Sequence, residues 1–187
     1  MKFDSNIVIA GLLHDVVEDT SITIERIKEE FGENIAGIVN GVTKLSKISY
    51  TSAKQHQADN FRKFLISIAE DVRVLVVKLA DRMHNMRTLN VIRDKEKRRR
   101  IAIETMDIYA PLAERIGMQR VKDELDDRAF FTLYPDEYNA ILVKLDQIRH
   151  KDANFVDNVV KTLQQHLQDH QINAQISGRE KRPCSIW

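Results

Sequence analysis

Cysteine is all but missing from this chain. The single thiol, Cys184, excludes an intrachain disulfide and leaves no thiolate set for a Cys-rich zinc site. Glycine and proline are scarce as well, at six and three in 187 residues. An all-β fold of many short strands needs more turn-formers than that. No apolar run reaches the ~18 residues of a membrane helix, and the N-terminus has no charged-then-apolar signal pattern. An excess of one charge is lacking too. Lys and Arg total 29 against 28 for Asp and Glu, a net charge of +1, which gives no reason to expect nucleic-acid or membrane binding. The expectation is a cytoplasmic protein with no membrane and no nucleic-acid partner.

Apolar residues are plentiful, at 43%, enough for one well-formed core with room for a small appendage. They recur mostly at helical spacing. A helix starting near Ile7 carries the polar residues of positions 14–19 on one side. Ile24, Ile27 and Phe31 mark a short helix closed by Gly32, and Ile35, Ile38, Val39 and Val42 mark another. Residues 44–51 are polar and turn-compatible and read as a loop, after which 52–69 return to helical periodicity. Residues 72–79 hold four valines and allow a strand. They run into 80–89 with no turn residue between, which favours a buried helix. The charged stretch 94–100 precedes an amphipathic helix over 101–116, kinked or restarted at Pro111 and ended by Gly117. Helix resumes over 118–131, breaks at Pro135, and continues over 136–171 as one or two exposed helices. From Ile172 the pattern alternates and begins a short strand with nothing after it to pair. The chain reads as all-α.

Two polar clusters interrupt this apolar patterning. On a helix His14 stacks over Glu18 and Asp15 over Asp19, while His14 and Asp15 lie about 100° apart and can reach one ion. Three carboxylates and an imidazole on a mostly apolar helix repel one another unless a cation offsets them. Asp81, in an otherwise apolar segment, is a candidate third ligand. Such a mixed set suits Mn²⁺, Fe²⁺ or Zn²⁺. Asn85 and Thr88 share a face with Asp81, either to hydrogen-bond a polar ligand or simply to meet solvent. The cations of 95–100 read as a solvated face. His166 and His170 are four apart on a polar helix and read as exposed, and Cys184 has no neighbouring base and reads as inert.

Four separated motifs carry a resemblance. They are Gly11-Leu12-Leu13-His14-Asp15-Val16-Val17-Glu18-Asp19-Thr20, then Gly41-Val42-Thr43-Lys44-Leu45, then Val77-Lys78-Leu79-Ala80-Asp81-Arg82-Met83-His84-Asn85-Met86-Arg87-Thr88-Leu89, and Glu104-Thr105-Met106-Asp107-Ile108-Tyr109-Ala110-Pro111-Leu112-Ala113. In this order they resemble the RelA/SpoT family, in its N-terminal hydrolase half. The resemblance implies an all-α, HD-domain-type helical bundle that uses Mn²⁺ to remove the 3′-pyrophosphate from guanosine tetra- or pentaphosphate, leaving GDP or GTP. It implies His14, Asp15 and Asp81 as metal ligands, and Glu18 and Asp19 as the carboxylates that position and deprotonate the attacking water. Asn85, Thr88 and Ile92 then line the nucleoside pocket, and Lys44 and Arg82 contact phosphate.

The resemblance also implies a first histidine from an upstream helix, whereas residues 1–13 contain neither histidine nor arginine. Residues 177–187 resemble the opening of a synthetase domain. The expectation is therefore a hydrolase domain truncated at both ends: 1–134 the hydrolase without its first helices, 135–171 a helical extension, and 172–187 the start of a synthetase domain. A separate fragment supplying the missing N-terminal helices is then an expected partner. The alternative is a non-catalytic guanine-nucleotide-binding or regulatory module, or one half of a split enzyme.

Overall fold

In the computed structural model, which describes residues 4–46, 71–151, 155–178 and 180–187, every regular element is helical. This agrees with the all-α expectation and with an HD-type bundle. The helix expected over 52–69 lies outside the described residues. Among the described residues no helix is long and apolar enough to cross a membrane. The chain divides into two compact units, Met1–Thr88 and Leu89–Trp187.

The first unit contains α1 (Ser5–Leu13), α2 (Val16–Asp19), α3 (Ile24–Phe31), α4 (Glu33–Ser46) and α5 (Val72–Arg87). Local signals place most of their ends. The Thr23 hydroxyl accepts the Arg26 N–H at 3.4 Å to start α3, and Gly32, at φ +86°, stops it. Asp71 starts α5 by accepting the Arg73 N–H at 2.9 Å. Two expectations change. The polar residues of α2 do not continue α1, because the chain turns at His14 and Asp15. Helix α4 runs on to Ser46, so Lys44 is helical rather than in a loop; Val42 and Leu45 extend the buried stripe by a turn, and that burial outweighs the polar neighbours.

The valine-rich stretch is a helix. Val74, Leu75, Val77 and Leu79 are all buried on α5. A β-branched residue costs a few tenths of a kcal/mol in a helix, while burying each side chain is worth about 1.5–3 kcal/mol, so packing wins over propensity. Helix α4 packs against α1, α3 and α5, and α1 packs against α5. At the α4–α5 crossing the backbones come close, since a Cβ on Gly41 would sit 2.6 Å from Val74 Cγ2.

The second unit contains α6 (Lys95–Glu104), a π turn (Thr105–Tyr109), α7 (Ala110–Arg115), α8 (Gln119–Leu133), α9 (Pro135–Lys151), α10 (Phe155–Asp169) and α11 (Pro183–Ile186). The charged stretch is the first part of α6 itself, because Asp94 accepts the N–H groups of Glu96 and Lys97 and starts the helix there. Pro111 has no N–H to continue an α ladder, and the chain takes up the mismatch in the π turn, where the Ala110 N–H reaches Thr105 O. Gly117, at φ +75°, ends α7 with Met118 N–H on Ala113 O at 2.8 Å. Phe130 on α8 is fully buried and lies 4.9 Å from the Trp187 ring, centroid to centroid. Residues 136–171 resolve into α9 and α10, and nothing described on α10 is buried. Residues 172–178 form no strand; Gly178 instead lies against Val156 and Val160 of α10, so side-on packing takes the place of strand pairing.

Candidate functional site

The site of the first unit is built where α1 meets α5. His14 ends α1, and its Nδ1 lies 2.8 Å from Gly11 O. A carbonyl can only accept, so Nδ1 carries a proton, and the Nδ1–H tautomer presents a lone pair at Nε2. Asp15 follows at φ −96°, ψ −6°, at the edge of the right-handed helical region. Its carbonyl accepts both the Glu18 N–H at 3.0 Å and the Asp19 N–H at 2.8 Å, which closes the short α2.

Nε2 faces oxygen on two sides. It lies 3.0 Å from Asp15 Oδ2 and 3.6 Å from Asp81 Oδ1. Close as these are, none is aligned as a hydrogen bond, and Nε2 is buried without a hydrogen-bond partner. A bare Nε2 turned towards carboxylate oxygens is repelled by them unless a positive charge, a ring proton or a cation, lies between them. Donors bound at about 2.1 Å around one ion stand roughly 3 Å apart. The His14–Asp15 separation fits that spacing and the His14–Asp81 separation is wider. Among the described residues no three His, Cys, Asp or Glu side chains stand together as a ready ion-holding group. The donor set suits a divalent cation in kind, and Asp81 is the member that must close in.

Asp81 is held from its own helix. Lys78 Nζ lies 2.9 Å from Asp81 Oδ2, and Asn85 Nδ2 donates to Asp81 Oδ1 at 2.8 Å. Spacings of three and four put Lys78, Asp81 and Asn85 on one face of α5. Lys78 and Asp81 are only 12% and 13% exposed. Sequence reasoning missed Lys78, although a lysine three residues before Asp81 in a valine run was the available signal.

The other expected residues are more scattered. Glu18 and Asp19 are exposed on α2, and among the described residues neither side chain makes a hydrogen bond or ion pair. Lys44 is exposed on the last turn of α4, and Arg82 is half-buried on α5. Thr88 caps α5, with its hydroxyl donating to His84 O at 3.1 Å. Ile92 is half-buried in the second unit. His166 and His170 are exposed, and the His170 Nδ1 is engaged with His166 O at 2.8 Å. Burial pushes the Cys184 thiol up, away from the reactive thiolate.

Comparison with known proteins bears on the same stretch. Residues 1–119 match the model of the HD domain family. Over 187 residues the chain is 45% identical to GTP pyrophosphokinase rsh of Brucella ovis. It is 42% identical to guanosine-3′,5′-bis(diphosphate) 3′-pyrophosphohydrolase of Haemophilus influenzae and 42% identical to the bifunctional (p)ppGpp synthase/hydrolase SpoT of Escherichia coli. Each alignment covers 100% of this chain but only 25%, 28% and 26% of those proteins. The chain thus spans about a quarter of the length of the curated relatives it matches. With residues 1–119 inside the family match and likeness running the full chain, this is an HD domain and belongs to the RelA/SpoT (p)ppGpp synthase/hydrolase family.

Proposed function

We propose that this chain is a metal-dependent hydrolase domain that removes the 3′-pyrophosphate of (p)ppGpp, leaving GDP or GTP and pyrophosphate. One observation carries the reading: His14 Nε2 is buried, unpartnered and set among carboxylate oxygens. His14, Asp15 and Asp81 would hold the ion, with Mn²⁺ proposed because an imidazole–carboxylate set without thiolate suits it. Bound there, the ion would supply Lewis acidity and lower the pKa of a water. Glu18 and Asp19, exposed one turn after the His-Asp pair, are assigned to orient the attacking water and take its proton. Lys44 and Arg82 are assigned to phosphate oxygens, and Asn85, Thr88 and Ile92 to the nucleoside. Lys78 and Asn85 fix the carboxylate of Asp81 in place. In this reading 1–134 form the hydrolase region, 135–171 a helical extension and 172–187 the start of a synthetase domain, and the nucleotide substrate locates the protein in the cytoplasm.

The test is to incubate the chain with Mn²⁺ and ppGpp and to follow pyrophosphate release. The expected result is Mn²⁺ binding, read by electron paramagnetic resonance, that Asp81→Ala abolishes together with any pyrophosphate release. Release that survives Asp81→Ala rejects the site, and no release at any Mn²⁺ concentration rejects hydrolysis by this chain alone.

A second reading rests on the His14–Asp81 separation of 3.6 Å, wider than the spacing of donors around one ion. In it the chain holds guanine nucleotide as a regulatory module without turnover. Calorimetric nucleotide binding with no pyrophosphate release is its signature.

A further inference from the structure

We propose that the basic start of α6 is a docking surface for the phosphate backbone of a nucleic acid, independent of the nucleotide reading above. Residues 93–100 hold six cations, Arg93, Lys95, Lys97, Arg98, Arg99 and Arg100, and two anions, Asp94 and Glu96. The segment therefore carries +4 while the whole chain carries +1, which leaves −3 for the remainder. The near-neutral total conceals a strong local polarity.

The segment is electrostatically unsatisfied by itself. Five of the six cations are exposed and Arg98 is half-buried. Among the described residues none of the six is held in an ion pair. Lys95 and Arg99 are four apart, and Lys97 and Arg100 three apart, so like charges stack on the helix surface. Their place in the first turns also sets them against the positive end of the helix dipole. Asp94 brings little relief, because its carboxylate is used on the N–H groups of Glu96 and Lys97 at 2.9 and 3.1 Å. Glu96 closes no ion pair with Arg99 or Arg100. A polyanion lying against either stack relieves its repulsion.

The surroundings select the kind of polyanion. Among the described residues Val91, at 76%, is the single large hydrophobic exposed beside the segment, it is not aromatic, and none is exposed between Ile92 and Ala129. A membrane surface needs apolar anchors beside the charge, and a protein partner needs a buried apolar or aromatic hot spot. Residues 93–104 contain no aromatic side chain on which a base could stack. What remains is contact with phosphate oxygens, and four of the six cations are arginines, whose planar fork grips phosphate in pairs of hydrogen bonds. Binding should then be independent of sequence and strongly salt-dependent.

Fluorescence anisotropy of the full chain with a labelled single-stranded RNA of mixed sequence, titrated in KCl, is the test. Binding in the range of about 10⁻⁴–10⁻⁶ M at low salt is expected, weakening as salt rises. The triple variant Lys97→Gln, Arg99→Gln, Arg100→Gln should bind at least about tenfold more weakly and lower the salt slope by about 2, at roughly 0.7 for each lost contact. Lys161→Gln, on α10, should bind as the parent does. A parent chain that shows no binding at low salt, or no salt slope, overturns the proposal without reference to any variant. So does a folded triple variant that binds like the parent. Tighter binding to phosphatidylserine vesicles or to polyglutamate than to RNA assigns the surface to another partner class and also overturns it.

Discussion

Lys78 is in a place where its residue type is rarely found. Lysine is seldom buried unless paired, and here the side chain is 12% exposed and its ammonium sits 2.9 Å from Asp81 Oδ2. Replacing it by methionine keeps the length and takes that donor from a carboxylate that is itself 13% exposed. Breaking a fully buried pair costs about 3–5 kcal/mol and an exposed one about 0–1 kcal/mol. Lys78→Met should fall between, at about 1–3 kcal/mol in urea unfolding. Arg26→Ala, in a pair on α3 that is 61% and 47% exposed, should cost no more than about 1 kcal/mol. A Lys78→Met chain as stable as the parent would show that Asp81 is held well enough by Asn85. At this scale the sequence is readable where residues are unusual for their surroundings. His14 and Asp15 stand out after an apolar run, and Asp81 stands out in another. Lys78 passed unnoticed because its role lies in a partner and not in its type.

For the helices, two predictions concern α4 and α5. Replacing a helical glycine by alanine is worth about 1 kcal/mol in propensity. At Gly41 the new Cβ would meet Val74 Cγ2 at 2.6 Å, and forcing extra volume into a packed contact costs about 1–3 kcal/mol. Gly41→Ala should therefore lower the thermal midpoint. Gly37→Ala, on the same helix with nothing within 4 Å, should raise it. The second prediction is one of pH. The guanidinium of Arg73 hydrogen-bonds Asp71 and holds its carboxyl below the usual carboxylate range. A depressed pKa contributes stability that is complete above the unfolded value of about 4 and is lost as pH falls through the folded value. In urea unfolding across pH, Asp71→Asn should be less stable than the parent near neutrality, and the gap should close at acid pH. A gap that persists at low pH would assign the effect to packing. The caps and stops of these helices are legible because they act over three or four residues. The last turn of α4 is not, because Leu45 is made helical by what it buries against rather than by its neighbours in the chain.

For the molecule as a whole, the proposed ion should act as a ligand of the folded state. At about a hundred times its dissociation constant it stabilises by about 2.7 kcal/mol, which in a chain of this size raises the thermal midpoint by roughly 5–10 °C. That shift should be seen with Mn²⁺ and should vanish in His14→Ala, as read by calorimetry. A shift that His14→Ala keeps would place the ion elsewhere. The order of the residues is enough to settle that the chain is helical, where most helices start and stop, and that an imidazole and a carboxylate stand side by side at 14 and 15. Capping, glycine stops and the 3.6-residue period are short-range effects, and they leave their record locally. Packing alone decides that Asp81 reaches His14, that Lys78 shares it, that α1 stops before the polar residues of α2, and that Gly178 lies against α10 while residues 172–178 form no strand. Each of these depends on which apolar surfaces bury against one another across long stretches of chain, and the burial of α1 against α5 is what carries the two halves of the site together.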